Sequence, residues 1–246
     1  MKYQILKRAL ASKNFRSRIF YKKTYSFLRK ILYVINSDKN YYFIDPTADW
    51  FYDDNFQPTD INDAFYLSRM KNLREILKLT NNLDGDYLEF GVYTGRSSKI
   101  ICEFIADKKA SQKFYGFDSF KGLSEPSKKD GNYWENSDLS TPKKIAEEKL
   151  KDFSFANLIE GWLPDSLQGF RSDKIAFVHF DLDLYEPTIQ TLSVIYDKIV
   201  TGGVIVFDDY GFETCPGVTQ AVNEFFNKDE IINLASGGTF IVKKQN

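Results

Sequence analysis

The chain has 246 residues, 43% of them apolar, enough for one sizeable domain with an appendage. Its formal net charge of -1 is unevenly spread: residues 1–36 hold ten Lys/Arg and no Asp/Glu, leaving about -11 for the remainder. No run approaches the roughly 20 apolar residues that span a bilayer, and no apolar centre and cleavage pattern make the basic N-terminus a signal peptide. Cys102 and Cys215 have neither CxxC nor metal-ligand spacing. The expectation is a cytoplasmic protein with two free thiols.

In residues 15–36, Tyr21, Tyr25, Leu28, Leu32 and Ile35 recur at spacings of four and three, predicting a helix with one apolar face. Lys22, Lys23, Arg29 and Lys30 fall mostly off that face. Such a helix can pack on the domain or on a second subunit, which is the simpler expectation. It can also lie on an anionic membrane as a peripheral contact at the inner face. No nucleic-acid recognition motif accompanies the charge, so no nucleic-acid partner is expected. Residues 40–60, with Tyr41, Tyr42, Phe43, Trp50, Phe51 and Tyr52 and two prolines, read as an irregular aromatic connector or lid. The organisation is thus an extension over 1–60 and a main domain over 61–246. The domain opens on a helix from about Ile61 to Thr80, with Asp60 or Asn62 as caps.

From Gly85 onward short apolar strands alternate with helical stretches. Strands are predicted at 86–91, 113–118, 155–160, 174–181 and 202–209, with helices at about 96–109, 187–199 and 218–227. Residues 231–236 and 238–244 read as a hairpin turning at Gly237 and Gly238. This order predicts an α/β fold: a mostly parallel seven-stranded sheet, helices on both faces, and a C-terminal antiparallel hairpin. Ligands of such sheets gather at the C-terminal ends of the strands.

LEFGVYTGRSS, residues 88–98, is a strand, a turn and a helix start. Its glycines, Gly91 and Gly95, form GxxxG rather than the GxGxxG of dinucleotide sites, and no Gly-Lys-Ser/Thr follows. Glu89, at the strand end, opposes a phosphate and suits a cationic, amino-acid-bearing ligand. Asp118 ends the second strand, where an acid can accept hydrogen bonds from both hydroxyls of a ribose. A nucleoside with a positive tail points to S-adenosylmethionine, with NAD the less favoured alternative. In the blander reading Glu89 caps a turn and the glycines permit tight packing.

Two further strands run into acids: FVHFDLDLY (177–185) into Asp181 and Asp183, and GGVIVFDDYG (202–211) into Asp208 and Asp209. If the chain stays extended, Asp181 and Asp183 share one side. Neighbouring strands bring Asp181 near Asp208 and Asp209. Clustered carboxylates repel, so they are either solvated strand ends or held by a cation. Oxygen donors without nearby Cys favour a hard ion such as Mg²⁺. His179 shares the strand with Asp181 and reads as a hydrogen-bonded core residue.

LEFGVYTGRSS, YGFDSFKGL, GWLPDSL, HFDLDLYEPT and GGVIVFDDYG, in this order and spacing, resemble the macrocin-type O-methyltransferases over about residues 60–245. The resemblance implies a Rossmann-like class I methyltransferase fold, S-adenosylmethionine and Mg²⁺ as cofactors, and methylation of a sugar hydroxyl. It implies a metal held by Asp181, Asp208 and Asp209, with Asp181 also the favoured general base. It places Glu89, Gly91, Tyr93 and Ser97 in the cofactor loop, Asp118 on the ribose with Ser119 and Phe120 beside it, and Gly161 and Trp162 by the adenine. The acceptor expected is a glycoside, a nucleotide sugar or a surface-glycan precursor, in a homo-oligomeric enzyme. Methylation of a catechol or small phenol, and a non-catalytic nucleotide- or glycan-binding subunit, are the competing readings.

Overall fold

The apolar segments 86–90, 175–180 and 204–207 form strands because each can bury both faces between helices, whereas 156–160, at the sheet edge, is only partly buried. The computed structural model describes residues 61–108 and 111–245, with side chains from Ser68 onward; the expectations for the basic helix and the aromatic connector lie outside the described residues, as do the proposed cap side chains. The chain divides into two compact units, residues 1–71 and 72–246.

The elements are α1 (Ile61–Leu77), β1 (Asp86–Phe90), α2 (Arg96–Lys108), β2 (Phe114–Asp118), α3 (Lys143–Leu150), β3 (Ala156–Glu160), β4 (Ile175–Phe180), α4 (Tyr185–Ile195), β5 (Ile199–Phe207), α5 (Pro216–Phe225), β6 (Ile232–Asn233) and β7 (Thr239–Val242). They build one seven-stranded sheet in the order β3-β2-β1-β4-β5-β7-β6. Pairings among β1 to β5 are parallel, while β7 runs antiparallel to β5 and to β6. This is the Rossmann-like class I methyltransferase architecture. The chain leaves β1 toward β2 and β3, then returns to β4 and β5 on the other side. That reversal makes the β1–β4 seam the switch point where such sheets hold ligands.

The main core lies at this seam. Phe90 pairs with Phe117 on one side and Phe180 on the other, and Phe180 pairs with Phe207. Their rings run across four strands at centroid spacings of 5.3, 5.0 and 4.8 Å. All four are buried. Removing rings of this size from water contributes roughly 2–3 kcal/mol each. Phe90, Phe180 and Phe207 are the last residues of β1, β4 and β5, and Phe117 is the last but one of β2, so the ladder lies at the carboxyl edge of the sheet.

Some expectations need correction. The helix after β4 starts at Tyr185 rather than Pro187, and β5 begins at Ile199, before the Gly202–Gly203 pair. Helix α3 was not expected at all. Asp181 and Asp183 do not sit on an extended segment: β4 ends at Phe180, and Asp183 has φ +60°, a left-handed conformation. The hairpin forms, with a first strand of two residues.

Candidate active site

The strand ends carry the expected residues at one level. Gly91 N donates to Phe117 O, Asp181 N to Phe90 O and Asp208 N to Phe180 O, at 2.8–2.9 Å. Each backbone bond fixes a loop residue to the strand next door, so the loop after β1 and the acids are tied through the sheet. Gly91 has φ +89°, and a β-carbon there would run into the Asp181 carbonyl oxygen. Only glycine lets the loop pass this close.

On the β1–β3 side, Asp118 organises the loop. Its Oδ2 accepts from Val92 N and Tyr93 N, both at 2.8 Å, and its Oδ1 from Phe120 N at 2.6 Å. Three of the roughly four acceptor positions of a carboxylate are thereby used for the loop. Tyr93, at φ +49°, is exposed, whereas Ser97 is buried in the first turn of α2. Ser119 Oγ accepts from Lys121 N and donates to Gly122 O. Phe120 packs with Val92 and Ala146 beneath the loop. Gly161 N donates to Asp118 O at 2.9 Å, and Trp162 beside it is exposed. Loops after three strands thus converge.

Glu89 is placed differently from an open acid at a pocket wall. It is fully buried; Oε2 accepts from Ser98 Oγ, and Oε1 accepts from His179 Nδ1 at 2.9 Å. His179 Nε2 in turn lies 4.0 Å from Asp208 Oδ1. Neither Ser98 nor the Glu89–His179 link was read from the sequence, although Glu89 and His179 are direct cross-strand partners.

On the β4–β5 side, carboxylate oxygens of Asp181, Asp208 and Asp209 lie within 4.8 Å of one another. Asp208 and Asp209 are buried and Asp181 half-buried. A second group joins Asp183 and Asp209 to Cys215. The Cys215 thiol is pushed up to about 12, chiefly by burial and then by the Asp209 carboxylate. The thiol donates to Asp183 Oδ1 at 3.5 Å. Asp183 N donates to Asp209 Oδ2 at 3.0 Å, so the left-handed turn at Asp183 orients Asp209. The trio offers oxygen donors only, the donor type that Mg²⁺ takes.

The segment between β2 and α3 completes the rim. Asp130, buried, accepts from Ser127 N at 2.7 Å and from Tyr185 N at 2.6 Å, capping the start of α4. Trp134 Nε1 donates to Cys215 Sγ at 3.4 Å. The segment thus leaves the end of β2 and lands beside the acids.

Residues 54–235 match the model of the macrocin-O-methyltransferase (TylF) family. The chain belongs to that family. As a macrocin-O-methyltransferase family member it is an S-adenosylmethionine-dependent O-methyltransferase. It is 26% identical over 201 residues to demethyldecarbamoylnovobiocin O-methyltransferase of Streptomyces niveus, covering 74% of this chain and 76% of that one. It is 25% identical over 192 residues to 8-demethyl-8-(2,3-dimethoxy-alpha-L-rhamnosyl)-tetracenomycin-C 4'-O-methyltransferase of Streptomyces olivaceus, covering 71% and 72%. The solved structure of the O-methyltransferase NovP superposes with a TM-score of 0.62 at 24% identity, covering 76% of this chain and 84% of that one. Among the described residues no helix is long and apolar enough to cross a membrane.

Proposed function

We propose that this O-methyltransferase is metal-dependent and methylates a sugar hydroxyl of a glycoside, nucleotide sugar or surface-glycan precursor. The observation that carries the metal is the trio Asp181, Asp208 and Asp209, oxygen donors only, gathered within two residues of the ends of two neighbouring strands. Three carboxylates at this spacing, two of them buried, repel unless a cation offsets their charge. The sugar rests on kinship: one relative is named for a rhamnosyl-bearing acceptor.

A sugar hydroxyl attacks a methyl carbon poorly while it keeps its proton. Bound at the trio, Mg²⁺ would act as a Lewis acid and a template for vicinal hydroxyls. Asp181 is the most accessible of the three acids and is anchored through its amide to Phe90 O, so its carboxylate is the candidate to receive the acceptor's proton. Asp118 holds Val92, Tyr93 and Phe120 in place around the nucleoside, and its remaining lone pair faces the ribose in this reading. Gly91, Ser97, Ser119, Gly161 and Trp162 line the same cradle. Gly91 lets the cradle close against Asp181, which brings the two reactants together; such alignment supplies a large share of the acceleration in methyl transfer.

The test is methyl transfer from labelled S-adenosylmethionine to a panel of glycosides, nucleotide sugars and catechols, with Mg²⁺ or with EDTA. Turnover is expected on a diol-bearing sugar with Mg²⁺ only. Asp181→Asn, Asp208→Asn and Asp209→Asn are each expected to lose at least a hundredfold in turnover. Wild-type rates for all three variants in EDTA refute the metal. Turnover confined to catechols refutes the sugar.

A further inference from the structure

We propose that His179 is a positioning residue that couples the cofactor half of the site to the cation half, so that the two ligands bind cooperatively. The inference rests on the metal reading above. Strand β4 is otherwise apolar, IAFVHF, and all six residues are buried. His179, about 1% exposed, is hydrogen-bonded to Glu89 of β1 through Nδ1 and has its Nε2 4.0 Å from Asp208 Oδ1 beyond β5. Glu89, fully buried, reaches Ser98 on its other oxygen, and Ser98 lies in the first turn of α2, directly after the cofactor loop. A line of polar side chains therefore runs from α2 through Ser98, Glu89 and His179 toward Asp208, hydrogen-bonded as far as His179 and closing on Asp208 by a 4.0 Å electrostatic contact.

Stability alone does not account for this line. Burying a carboxylate and an imidazole costs several kcal/mol before their mutual bond offsets it, and well-packed apolar residues fill such positions at no such cost. What the line provides is a shared orientation. A cation that fixes Asp208 removes freedom from the His179 ring, and a ring so fixed holds Glu89 and the start of α2. A nucleoside in the loop does the reverse. Whichever ligand binds first then lowers the ordering cost for the second, and linkage requires the two enhancements to be equal.

The experiment is calorimetric titration of the full chain with Mg²⁺, with and without saturating S-adenosylhomocysteine, and the reciprocal titration. The neutral thioether avoids charge repulsion with the ion. In the wild type each ligand is expected to tighten the other by the same factor, about fivefold or more. In His179→Phe the factor is expected to fall to about one. In His179→Gln, which keeps a donor and an acceptor, it should be intermediate. The backbone bond from Asp181 N to Phe90 O survives both changes, so the loss reports on the side chain. A merely structural role lowers melting temperature without touching the factor. Mg²⁺ binding that ignores S-adenosylhomocysteine in the wild type overturns the coupling and leaves the metal reading intact. A wild-type factor retained in folded His179→Phe or unchanged in His179→Gln also overturns it. Absence of any Mg²⁺ binding removes the metal reading itself. If His179→Phe does not fold, the wild type and His179→Gln decide.

Discussion

Gly91 lies so close to Asp181 that a β-carbon on the first would meet the carbonyl oxygen of the second. The contact joins the loop after β1 to one of the three clustered acids. Gly91→Ala has to combine a left-handed backbone with a displaced Asp181, and should destabilise the fold by more than about 2 kcal/mol while abolishing turnover. Gly211, at φ +85°, has nothing within 4 Å of such a carbon. Gly211→Ala should cost only the backbone strain, about 1 kcal/mol. Urea denaturation of both variants checks the difference.

Asp118 holds three amides of the cofactor loop. Asp118→Ala leaves those of Val92 and Phe120, both buried residues, without their acceptor, whereas water can reach Tyr93. A loss of about 1–3 kcal/mol in stability is expected. Affinity for S-adenosylhomocysteine should drop at least tenfold, read by calorimetry. Unchanged affinity would mean that the loop keeps its shape without the carboxylate.

Asp130 acts over a long sequence distance, capping α4 from a segment 55 residues earlier. Gly217 leaves it room, since a β-carbon there would strike Asp130 Oδ1. Asp130→Ala should destabilise by about 1–3 kcal/mol. Asp130→Asn, which still offers an oxygen, should cost less. Thermal melts of the two variants provide the comparison.

The buried thiols set an alkaline limit. Both Cys102 and Cys215 are raised from the ordinary thiol value, Cys102 by burial and then by Glu89, and Cys215 to about 12 by burial and then by Asp209. A thiol that ionises later in the folded than in the unfolded chain favours folding fully below the unfolded value near 9. That contribution is lost as pH rises from there toward the folded value. Unfolding free energy should therefore fall between about pH 9 and 12, less steeply in Cys215→Ala. Iodoacetamide at pH 8 should label neither thiol until urea unfolds the chain.

Much of this was legible in advance, for identifiable reasons. Apolar runs such as IAFVHF and VIVF announce buried parallel strands, and acids directly after them can only stand at the sheet's carboxyl edge. Hence Asp118, Asp181, Asp208 and Asp209 were located correctly at strand ends. What depends on distant partners was not legible. The start of α4 at Tyr185 is set by Asp130, and the burial of Glu89 by Ser98 and His179. Asp183 was misread because a left-handed turn follows β4, and a β-type alternation of acids cannot reveal it. Helix α3, KKIAEEKL, is short and largely polar, with Ala146 and Leu150 as its buried contacts, so its periodicity is faint.

The sheet's two halves share a single seam of hydrogen bonds between β1 and β4, and across it runs the segment that leaves β2 and is pinned by Asp130 on α4 and by Trp134 on Cys215. That segment works as a cross-brace over a joint. It ties the loop after β2 to elements on the far side of that seam through two long-range hydrogen bonds. In-line substitution forgives little sideways error, with about 1 Å enough to cost a hundredfold in rate. In the reading proposed above, the two reactants flank this joint, so the bonds of Asp130 and Trp134 would set their alignment as the chain folds.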